Sequence, residues 1–249
     1  MSSIVIKLEC ITNLHVGNGE VNYNIIDNEV EKDPVTGFPT IHSSGLKGAL
    51  REFFEKKKGK DWDNEIVNQL FGKGADEDGK PGSLKIMQAD MLARPARASA
   101  GDKAYYLLTT DTMLKIYNEK MELFTNQVKK HIESNDQKAD RNEEAEGILL
   151  TKKIKYDEKE IYLVSESDMN SIDLPVMARN KLENGKSVNL WYEEVVPHGS
   201  IFTFAVISDQ DSLEKLKKGI DGKVVQFGGN ASIGYGFCKV TVEGEKKDE

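Results

Sequence analysis

Apolar and polar residues alternate over residues 3–11, with Ile4, Ile6, Leu8 and Cys10 on one face and Lys7 and Glu9 on the other, as a half-buried strand requires. Leu46, Leu50, Phe53 and Phe54 then recur at helical spacing and predict a helix from about Ser44 to Lys57. WDNEIVNQLFG, from Trp62, reads as a short second helix stopped by Gly72, and KGADEDGKPG as a loop. SLKIMQAD and AYYLLTT read as strands flanking an arginine-containing connection, MLARPARASAGDK. Leu114, Tyr117, Met121 and Phe124 predict a helix from Thr112 to roughly Ile132, with ESNDQKADRNEEAEG as its polar exit. Between Ile148 and Pro197, IYLV, NLWYEE and the Asn184-Gly185 pair predict short strands and a projecting hairpin rather than a second core. SIFTFAVI, DSLEKLKKGI and GYGFCKVTV close the chain as strand, helix and strand.

Strand, helix, strand, met twice with insertions between, is the order of an α+β core of the ferredoxin-like, RNA-recognition type. One domain accommodates it, with a core at about 1–57, 83–110 and 198–243. An inserted helical segment lies at about 112–147 and a hairpin-bearing insertion at about 148–197.

The pattern breaks in the stretch from Leu14 to Arg51. About 25 residues separate Gly17 and Gly19 from the helix start at Ser43-Ser44-Gly45, and loops this long in compact domains are usually functional or disordered. Inside the loop Asp27 follows Ile25 and Ile26, an acid among apolar neighbours in a polar segment. Both ends suit a phosphate: glycine lets backbone approach a ligand closely, and a serine-rich helix start presents unpaired N–H groups and a positive dipole end. Lys47 and Arg51, four residues apart, share a face near that start.

Composition narrows the partners. The 249-residue chain is 38% hydrophobic and 31% charged, with no apolar run near the ~20 residues of a membrane span. MSSIVIKLECIT lacks the features of a signal peptide and reads as a cytoplasmic β-strand. Cys10 and Cys238 lie in strand-like patterns and are expected as reduced core residues. The net charge of −8 argues against nucleic acid, but screening over ~8 Å makes the local sign decisive. Lys47, Arg51, Lys56, Lys57, Lys58 and Lys60 form one basic cluster, and Arg94 with Arg97 another.

Before the last strand stands QFGGNASIGYGF, with Gly228, Gly229, Asn230, Gly234 and Gly236. It lacks the lysine-serine ending of a nucleotide P-loop and the strand-then-helix order of a dinucleotide site. A tight turn or a backbone nest for one phosphate of a polymer remains.

LHVGNG, FPTIHSSGLKGALR, DMLARPARAS and GGNASIGYG, in this order, resemble the RAMP superfamily of CRISPR proteins. DMLARPARAS together with LPVMARNKLENGKSVNLWYEEVVP narrows the resemblance to the backbone subunits of type III-B (Cmr) RNA-silencing complexes. It covers most of the chain. It implies a ferredoxin-like palm with a long loop between the first strand and first helix, and an inserted thumb hairpin. It implies polymerisation along a CRISPR RNA into a helical backbone, alongside other Cmr subunits. It further implies cutting of the paired target RNA at regular intervals with a divalent metal, Mg²⁺ or Mn²⁺. The family's essential acid falls on Asp27. Ser43, Ser44, Gly45, Lys47, Arg51, Arg97, Gly228, Gly229 and Asn230 are the expected RNA contacts. Where the family often has basic or polar residues after the acid, this chain has Glu29, Glu31 and Asp33.

RNA supplies its own nucleophile, the 2′-OH, so holding the backbone in line and stabilising charge are the main requirements. A carboxylate is a poor acid and a weak base at neutral pH, which favours Asp27 as a metal ligand or orienting group. His15 is a candidate base, although its place between Leu14 and Val16 at a strand end favours a structural role. Tyr192, Glu193 and Glu194 belong to the expected thumb, the glutamates on a surface that packs against a neighbouring subunit. Two alternatives stay open: a non-catalytic RNA scaffold, and a metal-independent CRISPR RNA-processing endonuclease of the same superfamily.

Overall fold

In a computed structural model, residues 1–17, 19, 26–57, 62–73, 79–126, 133–139 and 142–247 are described. Ile25, Lys58 and Lys60 lie outside them. The chain runs β1 (Ser2–Cys10), β2 (Thr40–Ile41), α1 (Ser43–Lys56), α2 (Asn64–Phe71), β3 (Lys85–Ile86), β4 (Ala89–Ala100) and β5 (Tyr105–Thr109). It continues through α3 (Asp111–Phe124), β6 (Glu133–Lys138), β7 (Glu144–Ala145), β8 (Ile148–Leu149), β9 (Lys152–Tyr156), β10 (Lys159–Leu163) and α4 (Glu166–Ser171). Then come β11 (Val176–Glu183), β12 (Lys186–Glu194), β13 (Ile201–Ser208), α5 (Gln210–Ile220), β14 (Val224–Gln226) and β15 (Phe237–Lys246).

The result is a mixed α+β fold on one large sheet, ordered β14-β15-β1-β13-β4-β5-β10-β9-β6 along its main path. At its centre β15, β1, β13 and β4 are neighbours and antiparallel. With α1 between β1 and β4, and α5 between β13 and β15, this arrangement is consistent with a ferredoxin-like core.

The alternation in β1 assigns the two faces. Ile4, Ile6, Leu8 and Cys10 join Leu46, Leu50 and Phe54 of α1 and Leu213, Leu216 and Ile220 of α5 in one buried cluster. Val5 points the other way, into a second cluster with Tyr117 and Met121 of α3 and Ile154, Tyr156 and Ile161 of β9 and β10. The sheet curls so that its far end lies over this second face. Lys7 pairs with Asp157, Lys159 with Glu9, and Tyr156 donates to Glu243. Burial, reinforced by the Glu243 carboxylate, pushes the Tyr117 and Tyr156 hydroxyls well above the usual phenol range. Cys10 and Cys238 face each other in the first cluster with Sγ atoms 3.7 Å apart, as free thiols. Among the described residues no helix is long and apolar enough to cross a membrane.

Four sequence expectations are corrected. MLARPARASA is not a connection but most of β4, a 12-residue strand. Its pairing with β13 ends at Ala93, so Pro95 sits where one edge is open and a missing N–H is tolerated. The helix expected to reach Ile132 ends at Phe124, where Thr125 takes extended backbone; residues 127–132 lie outside the described residues. The supposed polar exit forms β6, at the edge of the main sheet where polar composition is tolerated, and the two-residue β7 between β4 and β8. Residues 152–163, expected in the hairpin-bearing insertion, supply β9 and β10 to the main sheet.

The hairpin itself forms as the Asn-Gly pair predicts. β11 and β12 make a separate two-stranded sheet, and Asn184 (φ 51°) and Gly185 (φ 76°) both have the positive φ of a type I′ turn. Leu182, Val188 and Leu190 on it are more than half exposed or close to it, and belong to neither core cluster. Replacing Lys181–Lys186 with a short Gly-Ser linker is therefore expected to leave cooperative unfolding in place, with stability changed by about 0.5 kcal/mol or less. Loss of the cooperative transition in a denaturant titration would make the hairpin part of the core.

A second prediction concerns pH. Glu160 accepts from Lys103 at 2.6 Å and Lys153 at 3.0 Å, and those two ammonium groups hold its carboxyl down at about 2 against an ordinary 4.5. A depressed carboxyl stabilises the fold above its unfolded pKa and loses that contribution as pH falls through the folded one. Glu160→Gln should therefore be less stable than wild type at neutral pH, by about 1 kcal/mol or less at this solvent-screened site. The gap should close between about pH 4.5 and pH 2, as read from denaturation midpoints across that range; a pH-independent gap would assign the loss to packing.

Candidate functional site: the foot of the hairpin

The two ends of the long loop and the C-terminal glycine segment meet on the last residues of β12 and their continuation. Leu14 exchanges backbone hydrogen bonds with Val196, at 2.9 and 2.8 Å. Asn28 runs parallel to Glu193, giving Glu194 its carbonyl at 2.9 Å and taking the Tyr192 carbonyl at 3.2 Å. Gly17 bridges to Val30, and Glu31 donates to the Val16 carbonyl, closing the loop on itself. From the other side Gly229 donates to the His15 carbonyl at 2.9 Å and Gly236 to that of Asn13 at 2.8 Å. These contacts require glycine: a Cβ on Gly228 would lie 2.3 Å from the His15 oxygen, and one on Gly236 1.8 Å from that of Phe227.

Asp27 is exposed yet fixed. Its Oδ2 accepts from the Tyr192 N–H at 2.8 Å, and its own N–H donates to the Tyr192 carbonyl at 3.1 Å. Oδ1 has no hydrogen bond or ion pair among the described residues. His15 is buried, with Nδ1 2.8 Å from the Glu194 carbonyl. A carbonyl only accepts, so Nδ1 donates in this contact; in a neutral ring Nε2 is then the nitrogen with the lone pair. The two anchors, Tyr192 and Glu194, are two residues apart on one strand, about 6.6 Å along its axis. Of the acids that follow Asp27, Glu31 meets His42 Nε2 at 2.9 Å and Asp33 accepts from the Val35 and Thr36 amides.

Glu193 and Glu194 correct an expectation. They are 5% and 6% exposed, so neither lies on a surface that meets a neighbour. They take opposite sides of β12. Glu194 accepts from the Val30 N–H and from Lys32, both at 3.1 Å, holding the loop. Glu193 accepts from Arg179 at 2.9 Å, from Trp191 Nε1 at 3.1 Å and from Asn230 Nδ2 at 3.2 Å, holding the glycine segment. Arg179 and Lys32, the cations that meet Glu193 and Glu194, were not singled out from sequence. The signal available was a pair of adjacent acids at the apolar end of a strand.

The expected RNA contacts divide. Ser43, Ser44 and Gly45 open α1 behind His42, whose side chain makes no cap bond, and no acid occupies the first turn. The 14-residue helix thus presents uncapped N–H groups. Lys47 has no ion pair or hydrogen bond among the described residues. Arg51 differs: its guanidinium binds Glu55 at 2.8 Å, the Gly72 carbonyl at 2.7 Å and Asn68 at 3.1 Å, so it fastens α1 to α2. Arg97 is exposed on β4 opposite Tyr105, outside the cluster at the hairpin foot. Arg94 is buried, donating to the Met169 and Ile172 carbonyls, and burial lowers its pKa against the pull of Glu194. Lys57 donates to the Gly219 carbonyl. Gly229 has its N–H committed to His15, while Gly228 and left-handed Asn230 (φ 62°) shape the turn.

Among the described residues no three His, Cys, Asp or Glu side chains converge as a metal-holding group. Magnesium does not require one: it commonly keeps several waters and binds through one or two carboxylates plus substrate phosphates. The Oδ1 of Asp27, without a partner among the described residues, fits that mode.

The model of the RAMP superfamily matches residues 7–239. The CRISPR system Cmr endoribonuclease Cmr4 of Pyrococcus furiosus is 25% identical, over 98% of this chain and 96% of its own. Among solved structures, a chain of the type III-B Cmr-beta complex bound to cognate target RNA superposes with a TM-score of 0.72 at 20% identity, covering 96% of both chains. Oligomeric Cmr4 from Pyrococcus furiosus superposes with a TM-score of 0.68 at 22% identity, covering 98% of this chain and 99% of that one. At these identities the superpositions speak for the fold. The family model, spanning most of the sequence from β1 to β15, establishes that this chain belongs to the RAMP superfamily.

Proposed function

We propose that this chain is a backbone subunit of a type III-B RNA-silencing complex, binding CRISPR RNA and cutting the paired target RNA at regular intervals, with Asp27 at each cut. The observation that carries this reading is the exposed Asp27 carboxylate, held by the Tyr192 backbone where loop, hairpin and glycine segment converge. The whole-length likeness to a Cmr4 endoribonuclease supports it. In this role the sheet and its helices are the palm, β11–β12 is the thumb, and copies of the chain repeat along the guide beside other Cmr subunits in the cytoplasm.

The chemistry asks little of the side chains. Holding the 2′-OH in line with the scissile phosphate supplies much of the rate, and Asp27, fixed by its Oδ2 contact, presents Oδ1 to orient that hydroxyl or hold a cation. A bound Mg²⁺ or Mn²⁺ would supply charge stabilisation at the phosphate. His15, with Nδ1 committed to the Glu194 carbonyl, would accept a proton at Nε2 when its ring is neutral.

Asp27→Asn keeps shape and removes charge. In a complex reconstituted with guide RNA and end-labelled complementary target, the wild type should give a ladder of constant spacing set by the subunit repeat. The variant should assemble and bind equally while cutting falls by about 10²–10⁴-fold. A ladder that survives in Asp27→Asn moves the chemistry to another group; no ladder from wild type, with or without Mg²⁺ or Mn²⁺, favours a scaffold.

Phosphate binding is separable. Lys47→Ala should lower the slope of log affinity against log salt by roughly 0.7 for single-stranded RNA, equally for all sequences. Arg51→Ala should leave the slope unchanged and instead reduce stability by roughly 1–2 kcal/mol, through its lost hydrogen bonds. A reduced slope in Arg51→Ala would return that residue to the interface.

A further inference from the structure

We infer that Arg179, acting through Glu193, is a positioning residue for Asp27; the inference rests on the cleavage reading above. The Glu193 carboxylate is 5% exposed and takes donors from three places: Arg179 on β11, Trp191 on its own strand, and Asn230 of the glycine segment. Arg179 also lies 5.8 Å from the Trp191 ring centre and 5.6 Å from that of Tyr235, so the bracket includes a ring from each side. Arg179 makes no bond to Asp27. What connects them is the backbone of one residue: before Glu193 stands Tyr192, whose N–H and carbonyl both hold Asp27.

The remainder of the hairpin does not fix this backbone. Among the named strands β11 and β12 pair only with each other, Asn28 bridging to Glu193 at their foot, and most of their length is exposed. The strand pair is thus held at its foot, where Glu193 is the only side chain that bonds to both β11 and the glycine segment among the described residues. Without Arg179 the buried carboxylate keeps two neutral donors and no countercharge, and moves toward water to recover solvation. Tyr192 moves with it, and so does Asp27. Displacements of about 1 Å at a reacting group cost on the order of 10²-fold in rate. The sequence-distant residues 179, 193 and 230 therefore act on one atom, Asp27 Oδ1, without touching RNA.

The test uses the reconstituted complex with guide and end-labelled target under single-turnover conditions. Arg179→Ala should lower the maximal cutting rate by about 10–100-fold, with half-saturating target concentration within twofold of wild type and product lengths unchanged. Arg179→Lys, which restores the charge but not the planar fork, should recover at least threefold of that loss. Wild-type cutting by Arg179→Ala overturns the inference; so does a change confined to half-saturation, which would make Arg179 an RNA contact. Should Arg179→Ala fail to assemble, Asn230→Gly decides: it preserves the left-handed backbone, removes the side-chain donor, and should slow cutting at least threefold, whereas an unchanged rate overturns the bracket. A wild-type complex that does not cut overturns the cleavage reading itself. A cutting wild type matched by the variants overturns this inference alone.

Discussion

The backbone of Tyr192 is the point on which the site depends. A loop long enough to wander is held there by a two-way grip on Asp27, N–H to carboxylate and carbonyl to N–H. The flanking bonds, Asn28 to Glu194 and Leu14 to Val196, turn both ends of that loop into short strands beside β12. Backbone pairing is indifferent to side-chain identity, so a segment rich in Asn, Glu and Asp can be ordered without an apolar core of its own. The acid can then remain exposed and still be fixed, which a reacting carboxylate requires.

Two adjacent buried glutamates make the grip one-sided in neither direction. Successive strand residues point to opposite faces, so Glu193 reaches the glycine segment and Glu194 the loop. Each is matched by a cation, Arg179 and Lys32, because a buried carboxylate without countercharge or donors is costly. Buried ion pairs contribute little net stability, since desolvation offsets most of the attraction. Their effect here is geometric: each carboxylate accepts from two or more fixed donors, and only one arrangement of strand, loop and glycine segment satisfies all of them.

Most of the fold was legible because it rests on periodicity: β1, α1, β13, α5 and β15 stand where alternation and helical spacing predict them. The failures have local causes. Pro95 and two arginines concealed β4, because a strand that changes partners partway tolerates a proline a central strand would not. In the site, Asp27, His15 and the glycines were visible from loop length and turn chemistry, but the Arg179–Glu193 pair was not. The Asn-Gly turn alone would align Arg179 with Leu190. A bulge between Lys181 and Leu182 shifts the register so that Arg179 instead opposes Trp191 and reaches Glu193 diagonally. One inserted residue decides which face a side chain occupies, and nothing in the local composition announces it. The intramolecular role of Arg51 was hidden for a related reason: its partners, Asn68 and the Gly72 carbonyl, come from α2 and its C-terminal end.

Charge distribution bears on how a chain of net charge −8 holds RNA. Many of its cations are committed inside the fold: Lys7 to Asp157, Lys32 to Glu194, Arg51 to Glu55, Lys120 to Asp90, Lys159 to Glu9 and Arg179 to Glu193. Lys47, Arg97 and the uncapped first turn of α1 stand out among the groups with positive ends left for a phosphate. Each phosphate neutralised contributes one increment of a salt-sensitive affinity, so a single copy of this chain is equipped for weak binding. Repetition along one guide changes that arithmetic, since a neighbour already bound presents the next site at high effective concentration. Weak contacts per copy and strong holding by the array are compatible with backbone recognition that ignores base sequence.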